Sequence, residues 1–178
     1  MRIKDIYEFD AISREMMLKD YMGRGGVYVF YLKGMVAYIG QARDLGERLM
    51  SHMKCMDCCG DHNKMREDKA TNVKYYVFRD YIDDLEWEIL EDLGETAAID
   101  LARGLAGMFK DRPREKTKLD NRETYYINLY QPLFNIVGCG WKPQMKTICM
   151  RDIKELMESK DKVRFMKMIS KYPGAIRG

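Results

Sequence analysis

Two tyrosines flank a hairpin-like stretch, an arginine and a histidine follow, and a cysteine–histidine cluster comes next. Tyr28 closes Gly26-Val27-Tyr28, and Tyr38 opens Tyr38-Ile39-Gly40-Gln41-Ala42. Arg48 and His52 are four apart, so on a helix they share one face, where a cation and a titratable ring can act together. His52-x-x-Cys55-x-x-Cys58-Cys59-x-x-His62 has zinc-like spacing. Its five ligands lie within eleven residues, without the longer arm that separates ligand pairs in a finger and without a second Cys-x-x-Cys. A reduced, non-ligating cluster is therefore the expectation, with zinc on Cys55, Cys58, Cys59 and His62 as the alternative. Each residue also has a plain reading when taken singly. The tyrosines would be strand aromatics and Arg48 a surface charge. Glu123 would be the N3 partner of a capping box with Asp120.

The elements that must position these residues are legible as periodicities. Residues 11–22 read as a helix stopped by Gly23. Val27 to Tyr31 and Met35 to Ile39 form two β-branched and aromatic runs around Lys33-Gly34. A two-residue loop there would pair Tyr28 with Ile39 and put the tyrosines on opposite faces. A three-residue loop, Leu32-Lys33-Gly34, sets Tyr28 opposite Tyr38, and Gly34 suits its left-handed third position. The three-residue loop is the expectation, because Lys-Gly is a poor two-residue turn. Asp44 and Glu47 read as the capping box of a helix reaching about residue 54. Asn72 to Asp80 reads as a third strand. Leu85, Ile89 and Leu93 have helical spacing, while Leu85, Trp87 and Ile89 alternate like a strand; two glutamates tilt the reading to helix. Thr96 to Lys110 reads as a helix and 111–116 as a loop. Asp120 is expected to cap a helix over about 121–130, ended by Pro132. A basic, methionine-rich helix or helix pair follows from Met150 to Tyr172. The expected class is α+β: a small three-stranded antiparallel sheet flanked by helices, with a helical insert at about 81–118. This forms one domain over 1–141, with a basic helical extension over 142–178.

Five pieces in order resemble the GIY-YIG nucleases: Gly26-Val27-Tyr28, Tyr38-Ile39-Gly40, Leu45-x-x-Arg48-Leu49, His52, and Glu123 through Pro132-Leu-Phe-Asn135. The likeness spans residues 26–54, 73–80 and 121–135. It implies DNA phosphodiester hydrolysis with magnesium (or manganese) held by Glu123. It also implies that Tyr28 activates the attacking water, Arg48 clamps the phosphate oxygens, and Tyr38 and His52 orient water and phosphate. Gly40, Gln41, Arg43 and Asn135 would meet substrate, although Asn135 also reads as a loop fastener; Lys142 and Lys146 belong to the basic tail, outside the likeness, and would anchor phosphates through their charge. One departure stands out. Gln41 occupies the position where many relatives carry lysine, which leaves more of the electrostatic work to Arg48 and the metal, or moves the base to His52.

The bulk numbers bound these expectations. The chain has 178 residues, 46% hydrophobic and 33% charged, with net charge +3. No apolar run approaches the ~18 residues a membrane span needs. Five cysteines, three of them crowded together, fit a reduced compartment. A cytoplasmic, DNA-associated protein is expected. From Lys142 onward there are ten Lys/Arg against four Asp/Glu, whereas Asp80 to Leu101 holds nine acids and no base. The tail is thus the part suited to phosphate. A phage, mobile-element or restriction-type endonuclease acting on duplex or branched DNA is the leading expectation, with a homodimer left open. The contrasting one is a nuclease-like module that binds DNA or protein without cutting.

Overall fold

A computed structural model describes residues 1–58, 70–95, 118–130 and 132–135. Among these, the chain runs through α1 (Lys4–Tyr7), α2 (Ala11–Met17), a 3-10 turn (Lys19–Tyr21), β1 (Arg24–Leu32) and β2 (Met35–Ala42). It continues through α3 (Leu45–Asp57), α4 (Ala70–Asp80), a second 3-10 turn (Ile82–Asp84), β3 (Leu85–Glu95) and α5 (Lys118–Tyr130). The described residues form an α+β structure around one antiparallel sheet of order β2-β1-β3.

The central strand is β1, buried from Gly25 to Leu32, which explains its unbroken apolar run. One face carries Tyr28, Phe30, Leu32, Leu85 and Trp87 against Leu49, Met53 and Met56 of α3 and Val77 and Phe78 of α4. The other carries Val27, Val29, Tyr31, Val36 and Ile39 against Ile127 of α5. Both outer edges are covered in part. Trp87 N–H donates to Met1 O (2.8 Å) at the start of β3, and Phe134 N–H donates to Ala37 O (2.9 Å) along β2.

The hairpin departs from its expected register. Leu32 pairs with Met35, so the loop has two residues, and Lys33 and Gly34 both take positive φ (51° and 75°). A bulge at Ala37 then shifts the ladder, so that Phe30 pairs with Tyr38 and Tyr28 with Gly40. The bulge supplies the extra residue that the sequence reading assigned to the turn. Tyr28 and Tyr38 therefore share a face, as expected, but diagonally, with ring centroids 6.2 Å apart.

The larger correction concerns residues 70–95. The expected third strand at Asn72–Asp80 is helix α4, and the stretch read as helical from Leu85 is strand β3. In α4, Lys74, Val77 and Phe78 are buried at helical spacing. In β3, Leu85 and Trp87 point inward while Glu88 faces solvent, the outward position of an edge strand where glutamate costs little. Two smaller corrections follow. The helix expected over 11–22 stops at Met17 and gives way to the 3-10 turn. Helix α5 begins at Lys118, so Asp120 is inside it and does not cap it. The expected helix at Thr96–Lys110, the loop at 111–116 and the basic tail lie outside the described residues. No helix among the described residues is long and apolar enough to cross a membrane.

Candidate functional site

Strand β1 holds Tyr28 in the sheet, and α3 lays His52 and Arg48 over its hydroxyl. The start of α3 is fixed by Asp44, which accepts from Glu47 N–H (2.9 Å) as the capping pattern required, and from Gly23 N–H (2.6 Å). Leu45, Leu49, Met53 and Met56 are buried, which turns the Arg48–His52 edge toward the tyrosines. Tyr28 Oη lies 2.7 Å from His52 Nε2, and Arg48 Nε donates to the same oxygen at 3.3 Å. Gly40 is a matter of space: a Cβ there would fall on the Tyr28 hydroxyl.

Two members of this group had no place in the sequence reading. Helix α4 brings Tyr75, whose hydroxyl lies 3.0 Å from His52 Nδ1. It also brings Lys74, whose ammonium sits 3.6 Å from the Tyr38 ring centroid and 4.9 Å from that of Tyr75. The available signal was helical. Lys74, Val77, Phe78 and Tyr81 recur at i, i+3, i+4 and i+7, a pattern masked by the β-branched and aromatic composition.

Burial sets the protonation of this pocket. It pushes the Tyr28 phenol well above its ordinary value, helped by Tyr38 and opposed by Arg48. It holds the His52 imidazole well below its ordinary value, with Lys74 and Arg48 adding like charge. Lys74 falls to about 8, first through burial and then through Arg48, with Cys55 and Glu123 pulling the other way. Tyr38 is also raised, chiefly by burial. At neutral pH the pocket holds neutral phenols and a neutral imidazole.

The other half of the site is built by β2 and α5. Gln41 Nε2 donates to Asp120 Oδ1 (2.6 Å) and to Glu123 Oε2 (3.1 Å), so one neutral amide spans two carboxylates. Burial raises the Glu123 carboxyl; Asp120 adds to the rise, and the Gln41 hydrogen bond and Arg48 oppose it. Glu123 is also felt at Tyr38 and Lys74, which ties the two halves electrostatically. Beside Gln41 and Arg48 opens a groove of about 830 Å³ along the end of β2 and the first turns of α3, lined also by Arg43, Glu47 and Ser51.

Tyr28, Tyr38, Arg48, His52, Gly40, Gln41 and Glu123, spread over 96 residues of sequence, thus gather at one end of the sheet. Arg43 lines the groove beside them. Asn135 is held by the backbone of β2. Its amide donates to Ile39 O (2.6 Å) and accepts from Ile39 N–H (2.8 Å), which fastens the chain to β2. Cys55 and Cys58 are half-buried cysteines in no disulfide, and both ring nitrogens of His52 meet tyrosine hydroxyls. Among the described residues no group of three or more His, Cys, Asp or Glu is placed to hold a metal ion. Cys59, His62, Lys142 and Lys146 lie outside the described residues. The chain matches no family model, no curated protein and no solved structure.

Proposed function

We propose that this chain is a metal-dependent DNA endonuclease resembling the GIY-YIG family. One observation carries the reading. The hydroxyl of Tyr28 is shared between His52 Nε2 and the Arg48 guanidinium, and Arg48 lines a groove together with Gln41, whose amide donates to Glu123. Phosphodiester hydrolysis needs a proton acceptor for water, positive charge at the phosphate and help for the leaving oxygen.

The residues divide that work. With its Nδ1 proton donated to Tyr75, neutral His52 presents the Nε2 lone pair to Tyr28. Tyr28 passes its proton to His52 as it takes one from the attacking water. The Arg48 fork faces the non-bridging oxygens, a geometry a guanidinium fits better than an ammonium. The expected phenolate is thereby short-lived, because burial opposes it. Magnesium suits the carboxylate corner: Asp120 and Glu123 lie together under one neutral donor, and Mg²⁺ takes few protein ligands. Glu123, with Asp120 beside it, would hold the ion, which supplies charge for the departing 3′-oxygen.

The burial of Tyr28 also favours the second reading, a nuclease-like module that binds DNA or a protein without cutting. Incubating the full chain with supercoiled plasmid separates the two. Mg²⁺-dependent nicking that disappears in Glu123→Ala and Tyr28→Phe supports the endonuclease. A folded wild type that is inert with Mg²⁺ and Mn²⁺ on plasmid, linear and branched DNA removes it.

A further inference from the structure

Lys74 is a cation in the wrong place for stability. It retains only 9% of its exposure, on a helix face shared with Val77 and Phe78, which are fully buried. Taking an ammonium out of water costs several kcal/mol unless an anion meets it. Among the described residues no carboxylate lies within salt-bridge distance of Lys74; its ammonium meets the ring faces of Tyr38 and Tyr75. Cation–π contact with the ring faces returns less than the desolvation removes. Arg48 stands close enough to repel it. A methionine at position 74 would fill the same space without the charge.

The neighbouring acids do not supply the missing anion. Asp120 and Glu123 share the Gln41 amide, and Glu123 reaches Lys74 only through space. Two cations, one buried and one at the lip of the groove, thus flank the tyrosine pair, and among the described residues neither forms an ion pair with a carboxylate. Such an arrangement is short of one ligand, a small tetrahedral or ester-linked anion.

We propose that Lys74 is a substrate-binding residue that, with Arg48, forms a seat for one phosphate group against the Tyr38 ring. The assignment rests on the endonuclease reading, in which that phosphate is the scissile one. Helix α4 then does more than cover the sheet, because it delivers a positive charge from the side of the site opposite α5.

Two arms test this, one without catalysis. In the first, thermal unfolding of the full chain is followed with inorganic phosphate against chloride at matched ionic strength. Wild type is expected to gain stability from phosphate, and Lys74→Met and Lys74→Gln to lose most of that gain while unfolding no earlier than wild type in chloride. An equal phosphate gain in wild type and both variants, or none in wild type, overturns the seat. In the second arm, single-turnover plasmid nicking is expected to slow about 10–100-fold in both variants. The salt dependence of duplex binding in Ca²⁺ should also become shallower by about one unit of slope. Undiminished nicking in Lys74→Met overturns the role in cleavage. If wild type itself fails to nick, the endonuclease reading falls, and the phosphate arm still decides whether Lys74 and Arg48 hold an anion.

Discussion

Burial shifts groups in both halves of the site toward their neutral forms, but it is nearly complete in one half and partial in the other. On the α3–α4 side the groups are dry: Tyr28 and His52 are at most 1% exposed, and each is shifted toward its neutral form. On the α5 side two half-exposed carboxylates are kept together by a neutral amide. A low-dielectric pocket makes charge expensive and proton position precise, whereas a wetter corner tolerates charge and can gather a cation. The difference assigns proton traffic to the first side and charge neutralisation to the second. Substitutions that cross this division should therefore differ in kind as well as in size.

The largest effects come from removing one group from each side. Tyr28→Phe deletes the hydroxyl that His52 and Arg48 share, and Glu123→Ala deletes a carboxylate of the corner. Each should lower plasmid nicking by about 10²–10⁴-fold. Raising Mg²⁺ should recover part of the activity of Glu123→Ala and none of that of Tyr28→Phe. Equal recovery in both would break the division.

Next in size is the stability of Lys74→Met as a function of pH. Lys74 sits at about 8 in the folded chain against an ordinary 10.5. Between those values the unfolded chain binds more protons, so wild-type stability gains from this residue as pH rises. Below about 8 the full penalty of the buried ammonium is present, about 3 kcal/mol by the size of the shift. Urea unfolding should show Lys74→Met more stable than wild type at pH 7, with the gap closing toward pH 10.5. A variant less stable than wild type at pH 7 would make Lys74 a structural prop.

How much of this was legible follows the same physical line. The hairpin, the Asp44 cap and the Arg48–His52 face rest on local spacing, and local spacing carried them. The shared tyrosine face was also legible, but for the wrong reason, because a bulge at Ala37 leaves no composition signal beside a Lys-Gly turn. Lys74 and Tyr75 are hard to read from sequence because the strand propensity of the α4 residues masks their helical spacing. The glutamates of β3 misled in the opposite direction, since an edge strand admits acids on its outward positions. Asp120 reads as a cap in the sequence because its pairing with Gln41 spans 79 residues and leaves no local signal.

A smaller effect tests the orientation of the base. In Tyr75→Phe, His52 Nδ1 loses its hydroxyl partner, and nothing then holds the proton on that nitrogen. Nicking should fall about tenfold, in line with the loss of an orienting partner. The Mg²⁺ requirement should stay unchanged, because the carboxylate corner is untouched. A changed requirement would mean that the dry side also shapes the metal corner.

The smallest effect addresses the corner itself through Gln41→Lys. The amide now donates to both Asp120 and Glu123 while leaving their charges intact. An ammonium at the same position would pair with them and lower the Glu123 carboxyl, opposing the rise caused by burial and Asp120. It would also compete for the negative charge that attracts a divalent ion. The Mg²⁺ concentration for half-maximal nicking should therefore rise by about three- to tenfold. The rate at saturating Mg²⁺ should change little, since Tyr28, His52 and Arg48 keep their contacts. A faster rate at unchanged Mg²⁺ requirement would instead show that a cation on β2 serves the phosphate. The groove wall at Gln41 would then belong to substrate binding and not to the metal corner.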